Sequence, residues 1–160
     1  MNRADTNRNQ AHLRRIQNET INIKNTFKEY ADMFAIQMVD DNMYHWRVVL
    51  NGPPDSLYEN FKFNLEIVLS QDYPTKAPNV KFVTPIQHLN VNATGDICLD
   101  ILKDNWSSAQ NIISIVKSIS LLLSYPNPDD PFNAELAMLY RDNKDTYEST
   151  VKQHCNKYKI

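Results

Sequence analysis

The stretch FAIQMVDDNMYHWRVVL, residues 34–50, decides the fold class because its apolar residues alternate on both sides of a polar turn. The alternating residues are Phe34, Ile36 and Met38, then Tyr44, Trp46, Val48 and Leu50. A period of two indicates strands with one buried face. Asp40, Asp41 and Asn42 between the two runs are typical turn residues. The stretch therefore predicts an antiparallel hairpin.

Two further alternating runs extend this hairpin, and a helical pattern precedes it. The third run contains Phe61, Phe63, Leu65, Ile67 and Leu69, and the fourth covers residues 80–83. Short connections between such runs favour a four-stranded antiparallel meander. Upstream, apolar or small residues recur at spacings of three and four: Leu13, Ile16, Thr20, Ile23 and Phe27. This spacing predicts an amphipathic N-terminal helix.

Residues 84–106 follow neither period. Their apolar members are Ile86, Leu89, Val91, Ile97, Leu99, Ile101, Leu102 and Trp106. A chain segment so rich in apolar residues is not typical of disorder. Long irregular segments inside compact domains are usually functional. We therefore expect an ordered loop that is held against the core.

Helices are predicted for the remainder of the chain. Ser107-Ser108-Ala109-Gln110 resembles a capping box, and an apolar stripe follows it: Ile112, Val116, Ile119 and Leu123. Prolines 126, 128 and 131 end this helix and stiffen a loop that contains Asp129 and Asp130. A short helix is predicted after Asn133, and a last one from about Asn143 with inward Tyr147, Val151, Cys155 and Tyr158. The predicted fold class is α+β: N-terminal helix, four-stranded antiparallel meander, ordered loop and C-terminal helices.

Size and composition indicate one globular domain. Residues 1–11 are polar and predict a flexible extension, and residues 12–160 predict a single core domain. A net charge of −2 argues against nucleic acid binding by overall charge. The absence of an 18-residue apolar run, of a signal peptide and of a cysteine framework favours a soluble protein of the cytoplasm or nucleus, without a membrane partner. Basic residues crowd the first 28 positions, which fits either an acidic protein partner or a solvated helix face.

The irregular segment also carries the candidate chemistry. Within 13 positions it holds His88, Asn90, Gly95, Asp96, Cys98 and Asp100. The turn Thr94-Gly95-Asp96 stands just before the cysteine, so a rigid loop there would present a thiol to a large partner. Taken singly, each residue has a structural alternative: a buried small hydrophobe for Cys98, a core histidine for His88 and a backbone tie for Asn90. Asp129-Asp130, between the prolines, has the alternative of a solvated turn.

Other kinds of site fit less well. A metal centre would need three or four ligands, and His88 and Cys98 lack companions at suitable spacing, so no metal is expected. Asn51-Gly52-Pro53-Pro54 has no P-loop lysine and too few free N–H groups to cradle phosphate. A cysteine hydrolase that pairs Cys98 with His88 stays open as a generic arrangement.

Taken together, the motifs resemble the ubiquitin-conjugating enzyme family, in its core-domain-only form. In chain order they are Asn51-Gly52-Pro53, Tyr58, Phe61, Asp72-Tyr73-Pro74, His88-Leu89-Asn90, residues 95–102, Trp106-Ser107-Ser108-Ala109 and residues 126–131. The resemblance covers about residues 13–158. It implies the same α+β fold, with residues 84–106 as the active-site loop. It also implies ubiquitin, an activating enzyme that consumes ATP upstream, and a ligase as partners, with no cofactor.

The resemblance also assigns roles to individual residues. Cys98 falls on the family's cysteine, which accepts ubiquitin as a thioester and passes it to a lysine or to a ligase cysteine. Asn90 matches the asparagine that donates to the oxyanion or orders the active-site loop, and His88 is expected to support that loop. Asp130 matches an acidic residue that prepares the incoming lysine; since a carboxylate favours the charged ammonium, orientation is the expected role. Asp100 is a weaker candidate of the same kind.

Positions expected to bind partners depart from the family pattern more than the catalytic ones. Arg14 and Arg15 keep two charges for the activating enzyme. Thr75 stands where many members have a phenylalanine that contacts RING-type ligases, and Ser108, beside Ala109, replaces a proline in the second contact loop. The resemblance therefore predicts a competent carrier with a narrow ligase range. A non-catalytic variant that only binds ubiquitin, and a ubiquitin-like modifier in place of ubiquitin, stay open as alternatives.

Overall fold

The computed structural model describes residues 2–160 as one α+β assembly. Its elements in chain order are α1 (Arg3–Thr26), β1 (Phe34–Val39), β2 (Asn42–Asn51), β3 (Lys62–Val68), β4 (Asn79–Phe82), a 3₁₀ turn (Asp100–Leu102), α2 (Ile112–Ser124), α3 (Ala134–Asp142) and α4 (Lys144–Lys157). The predicted fold class is confirmed. In the part of the chain that the structure describes, no helix has the length and apolar character needed to cross a membrane.

The four strands form an antiparallel meander in the order β1-β2-β3-β4. Asp40 and Asp41 turn the first hairpin with left-handed φ angles of 52° and 54°, a conformation that aspartate tolerates better than most residues. Because side chains alternate along a strand, the register places the apolar side chains of neighbouring strands on the same face of the sheet. Its most deeply buried members are Val48, Leu50, Leu65 and Ile67. All four predicted strands are therefore confirmed.

Helix α1 begins earlier than its apolar pattern indicates. The side chain of Asn2 accepts a hydrogen bond from the backbone N–H of Asp5 (2.9 Å), which caps the helix, and no glycine or proline interrupts the turns that follow. The polar residues 3–11, predicted as a flexible extension, are thus helical, and Met1 lies outside the described residues. The predicted apolar stripe is only partly right, since Leu13 and Phe27 are exposed.

Glu19, on the buried side of α1, joins three parts of the fold. Its carboxylate accepts hydrogen bonds from the backbone N–H of Ile112 (2.7 Å), from the Tyr73 hydroxyl and from Nε of Arg15 (3.1 Å). These contacts tie α1 to the loop after β3 and to the first residue of α2. A buried carboxylate is tolerated here because each of its oxygens has a donor.

Helix α2 begins at Ile112, and its capping box is formed by Asn111 and Ser114. The Asn111 side chain accepts from Ser114 N–H (2.8 Å), and the Ser114 hydroxyl accepts from Asn111 N–H (2.8 Å). The capping box predicted at residues 107–110 is wrong, because those residues form a turn before the helix. The predicted apolar stripe of α2 is buried as expected.

The last two helices follow the predicted pattern. Asn133 caps α3 and Asn143 caps α4, each by accepting a backbone hydrogen bond in its side chain. Tyr147, Val151 and Cys155 of α4 are buried, whereas Tyr158 is only partly covered.

The irregular segment is pinned to α2 by His88, which is almost fully buried. A backbone N–H can only donate, so the 3.0 Å contact from Asn90 N–H makes Nδ1 of His88 the acceptor. Nε2 then carries the proton and donates to the carbonyl of Leu122 at 3.0 Å. Burial lowers the pKa of His88 to about 4, so the ring is neutral near pH 7. These contacts support the predicted loop-supporting role of His88.

Replacing Glu19 by alanine should destabilise the fold. Glu19→Ala removes the acceptor of two buried donors, Ile112 N–H and the Tyr73 hydroxyl, so we expect the free energy of unfolding to fall by about 3 kcal/mol or more. Denaturant-induced unfolding measures this. Glu148→Ala, at an exposed position of α4, is the matched control and should change it by less than about 0.5 kcal/mol. Equal effects at the two positions would contradict the role assigned to Glu19.

Acid should weaken the fold through His88. Between pH 6.5 and 4 the unfolded chain binds a proton on this ring and the native chain does not, so the contribution of His88 to stability is lost as pH falls through that window. The expected loss is roughly 3 kcal/mol. Unfolding free energies from pH 7 to pH 4 measure it for the parent chain and for His88→Gln. The His88→Gln curve should be flatter by this amount, and parallel curves would refute the assignment.

Candidate active site

Cys98 lies at the end of a short hairpin whose conformation is fixed by its neighbours. Ile97 forms an isolated antiparallel bridge with Val91, and the N–H of Cys98 donates to the carbonyl of Asn90 at 2.8 Å. The turn of this hairpin requires Gly95, which has a φ of +87° and approaches β4 so closely that a Cβ would lie 2.1 Å from the carbonyl oxygen of Phe82. The cysteine backbone therefore has one defined position against the sheet.

The thiol of Cys98 lies just beneath two exposed charged side chains. The residue is 8% exposed. Its Sγ lies 3.0 Å from Oδ2 of Asp130, to which the thiol donates, and 3.1 Å from Nζ of Lys103, which donates to the sulfur. Lys103 and Asp130 are both exposed, so the sulfur lies directly beneath side chains that reach solvent. The thiol is covered but not enclosed in the core.

The surroundings of Cys98 favour the protonated thiol in the resting state. Burial raises the pKa of Cys98, and the hydrogen bond to the Asp130 carboxylate raises it further because that bond is lost on deprotonation. The ammonium of Lys103 acts in the opposite direction by stabilising the thiolate. A proton acceptor, Asp130, and a cation, Lys103, thus both contact the sulfur of Cys98.

Asn90 is fully buried and all of its amide hydrogen-bonding groups are engaged. Nδ2 donates to the carbonyls of Asn127 (2.8 Å) and Asp130 (3.2 Å), and Oδ1 accepts from the N–H of Asn127 (2.8 Å). An oxyanion would have to displace one of the two Nδ2 bonds. Of the two roles predicted for Asn90, this geometry favours ordering the active-site loop.

The two adjacent aspartates of the proline-rich segment, residues 126–131, contact different partners. Asp129 pairs with Arg141 of α3 (2.8 Å), and the same guanidinium donates to the carbonyl of Pro128 (3.0 Å). Asp130 instead points its carboxylate at Cys98. Arg141 on one side and Asn90 on the other thus hold this segment in the position that brings one carboxylate to the thiol.

Asp100, the weaker acidic candidate, does not reach the cysteine through any hydrogen bond in the structure. Its carboxylate accepts from the N–H of Ile101 (2.8 Å) and from Nδ2 of Asn105 (3.0 Å), so it links the start of the 3₁₀ turn to the residues that follow it. The same turn reverses the chain and returns Lys103 to the sulfur, where Nζ also lies 5.2 Å from the centre of the Phe132 ring. Sequence reasoning missed Lys103. The only signal was a lysine five positions after the cysteine, beyond a segment without periodicity.

A shallow groove adjoins the cysteine along the chain. It encloses about 550 Å³ and is lined by Leu99, Asp100, Ile101, Ser118, Leu121, Leu122 and Tyr125. Leu121 and Tyr125 are among the most exposed large apolar side chains of the described residues. A separate cavity of about 610 Å³ lies between residues 82–95 and His154, and Cys98 is not part of its lining. The described residues contain no cluster of His, Cys, Asp and Glu suited to hold a metal ion.

The residues predicted to bind a ligase lie on one surface. Thr75, Ser108 and Ala109 are all exposed, and the Ser108 hydroxyl and the indole N–H of Trp106 both donate to the carbonyl of Pro74, at 3.1 and 2.9 Å. The loop after β3 and the loop before α2 are thereby joined.

The two arginines predicted to bind the activating enzyme differ in their surroundings. The guanidinium of Arg15 donates to the carbonyls of Ser108 (2.6 Å) and Gln110 and to Glu19, so each of its three nitrogens makes a hydrogen bond within the chain. Arg14 is exposed. Of the pair, Arg14 presents its charge to solvent.

Comparisons with known proteins identify the family. The model of the family described as ubiquitin-conjugating enzyme matches residues 15–155. A probable ubiquitin-conjugating enzyme E2 of Acanthamoeba polyphaga mimivirus is 56% identical over 148 residues, which are 92% of this chain and 94% of that protein.

Solved structures lead to the same family. A crystal structure assigned to the ubiquitin-conjugating enzymes of Plasmodium yoelii superposes with a TM-score of 0.83 at 37% identity, covering 93% of this chain and 96% of its own. The E2 domain of a Toxoplasma gondii ubiquitin-conjugating enzyme gives 0.81 at 35% identity, with 92% and 99% covered. The chain therefore belongs to the ubiquitin-conjugating enzymes, transferases that act through a cysteine thioester.

Proposed function

We propose that Cys98 is the residue that carries ubiquitin, and that it passes the modifier to a substrate lysine or to a ligase cysteine. The position of its sulfur between Asp130 and Lys103, under exposed side chains, carries this proposal. The other cysteine, Cys155, is buried in α4, and burial raises its pKa to about 11. A buried, protonated thiol of this kind is inert. Family membership and the presence of Cys98 disfavour the alternative of a non-catalytic variant.

Loading requires Cys98 to lose its proton. In this proposal the thiol proton moves towards Oδ2 of Asp130, to which it is already hydrogen bonded, while the ammonium of Lys103 stabilises the thiolate. The sulfur attacks the carbonyl carbon of the thioester on the activating enzyme. A new C–S bond forms, the old one breaks, and the activating enzyme's cysteine leaves as a thiolate. Thioester exchange is nearly balanced in energy, so positioning is the main requirement.

Loading also changes the state of Asp130. Once the sulfur carries an acyl group it has no proton to donate, so Oδ2 of Asp130 loses its hydrogen bond while remaining beside the reacting centre. The exposed carboxylate can then accept a hydrogen bond from an incoming amine and orient it. As the C–N bond forms and the C–S bond breaks, the amine releases a proton that Asp130 can accept, and Lys103 stabilises the departing thiolate.

We also propose surfaces that bind the ligase and the activating enzyme. We assign ligase contact to the surface of Thr75, Ser108 and Ala109, and contact with the activating enzyme to Arg14, with Arg15 supporting the loop before α2. A small polar Thr75 supports a narrow range of ligases, RING-type or other. ATP-dependent activation upstream, ubiquitin as the modifier, and a cytoplasmic or nuclear location belong to this proposal as well.

Charging with activating enzyme, ATP and ubiquitin tests the carrier role. The parent chain should gain an adduct that thiol reductants remove. Cys98→Ser should give a reductant-resistant ester, because an oxygen replaces the sulfur, and Cys98→Ala should give none. Cys155→Ala is the matched control and should charge like the parent. Non-reducing gels measure each adduct, and normal charging of Cys98→Ala would refute the assignment.

Asp130 should matter more for transfer to an amine than for the fold. With free lysine as acceptor, single-turnover discharge of loaded Asp130→Asn should be slower than that of the parent by about 10- to 100-fold, because the carboxylate that orients the amine is lost. Asp129→Asn is the matched control. It removes an exposed ion pair with Arg141, whose guanidinium still donates to the carbonyl of Pro128 and holds the segment, so it should discharge at the parental rate. Equal rates for Asp130→Asn and the parent would remove Asp130 from the mechanism.

A further inference from the structure

We infer that the free edge of β1, with the groove beside it, binds an extended segment of a partner protein in which apolar residues alternate and an acidic residue stands next to them. The groove encloses about 540 Å³, and its walls include residues 34–38 of β1 and Ile23, Lys24 and Phe27 of α1. None of its lining residues surrounds Cys98 or belongs to the surface assigned to the ligase. The inference therefore goes beyond the proposed function and does not depend on it.

The backbone of β1 has hydrogen-bonding groups that the sheet does not use. The N–H of Asn51 donates to the carbonyl of Met33 (2.9 Å), so in an antiparallel ladder the residues two and four positions further along β1 also bond with β2. Ile36, which stands between those two residues, directs its N–H and its carbonyl away from β2. Phe34 has the same direction, and its N–H donates outside the sheet, to the turn before β1. In the described part of the chain, no printed hydrogen bond occupies the outer side of Ile36.

The edge also lacks the features that usually protect an outer strand. Edge strands commonly carry charged residues or prolines, which prevent pairing with another chain. The sequence of β1, FAIQMV, contains neither. Such a strand is open to β-strand addition, in which main-chain hydrogen bonds give affinity and pockets for alternate side chains give specificity.

Alternate side chains of an added strand would meet apolar walls. Neighbouring strands share one pleat, so these side chains lie on the same face as Phe34, Ile36 and Met38 of β1. Ile36 and Met38 are partly buried against the core, and Phe27 of α1, on the other wall, is 60% exposed. An apolar side chain placed in the groove would cover Phe27 and extend the core. The groove therefore selects apolar residues at every second position.

Charge gives the partner segment its second feature. Of the described residues that line the groove, Lys24 alone is charged, and its side chain is exposed. The ion pairs of the described residues do not include Lys24. A carboxylate next to the apolar residues of the partner segment would meet this charge, which favours the correct partner and speeds its association.

A second copy of the chain fits the groove less well. Pairing of β1 with the β1 strand of another molecule would satisfy the edge hydrogen bonds. However, Phe34, Ile36 and Met38 of that molecule already pack against its own core and cannot also fill the groove. Its β1 strand has no carboxylate to offer Lys24. A partner segment with unburied side chains therefore suits the groove better.

A display library of linear random peptides, selected on the parent chain, supplies the probe. Enriched peptides should alternate apolar residues and carry Asp or Glu beside them, and fluorescence anisotropy measures their affinity. Lys24→Glu should weaken binding by about tenfold or more, because an attraction becomes a repulsion. Lys152→Glu, the same charge change at an exposed position of α4, is the matched control and should bind like the parent. Equal binding by the two variants would overturn the inference.

Backbone methylation of an enriched peptide tests strand addition without altering the protein. N-methylation of the alternate residues whose N–H groups face β1 should weaken binding by about tenfold or more, because hydrogen bonds are lost. Methylation of the intervening residues should have little effect. In amide exchange followed by NMR, the N–H of Ile36 should become protected when the peptide binds. Equal effects of the two methylation patterns, or unchanged exchange at Ile36, would refute strand addition at this edge.

Sedimentation of the parent chain alone tests the alternative occupant. We expect a monomer. A dimer that an enriched peptide dissociates would assign the groove to a second copy and overturn the inference. None of these measurements uses the activating enzyme or Cys98, so their failure is distinguishable from failure of the carrier role.

Discussion

The candidate active site depends on one buried residue, Asn90, because its backbone and side chain hold the segments of Cys98 and Asp130 together. The carbonyl of Asn90 accepts the N–H of Cys98, and the side-chain amide binds the backbone of Asn127 and Asp130. The nucleophile and the carboxylate are 32 positions apart in sequence, yet a single residue fixes both backbones. His88 fixes Asn90 in turn, by accepting its N–H and donating to α2. Loss of these hydrogen bonds would separate the sulfur from Asp130 before any chemistry began.

The opposed charges at Cys98 suit a residue that must serve as both nucleophile and leaving group. A strongly lowered thiol pKa would make the thiolate abundant but would also lower its intrinsic nucleophilicity, and an environment that only raised the pKa would make a poor leaving group. Here burial and Asp130 raise the pKa of Cys98, while Lys103 opposes them. The surroundings of the sulfur therefore favour the protonated thiol, and the groups proposed to assist proton loss and thiolate departure already contact the sulfur.

Sequence periodicity predicted the parts of the fold that burial determines. The four strands and the buried face of α2 follow from alternation and helical spacing, since each apolar set must meet a core. The start of α1 was missed because residues 3–11 carry no apolar stripe, and the helix cap formed by Asn2 leaves no apolar pattern in the sequence. The cap of α2 was misplaced by four residues, because Ser107 and Asn111 are both acceptable caps and only tertiary contacts, such as Glu19 with Ile112, choose between them.

The sequence predicted which residues belong to the candidate site but not which side chains contact the sulfur. Motifs located Cys98, Asn90 and Asp130, but only the 3₁₀ turn brings Lys103 to the sulfur, and no sequence period records a turn of three residues. Asp130 reaches the same sulfur from the proline-rich segment, 32 positions after the cysteine. Because the two chain segments that cover the thiol meet only in the folded structure, the sequence could identify residues of the site but not their distances from the sulfur.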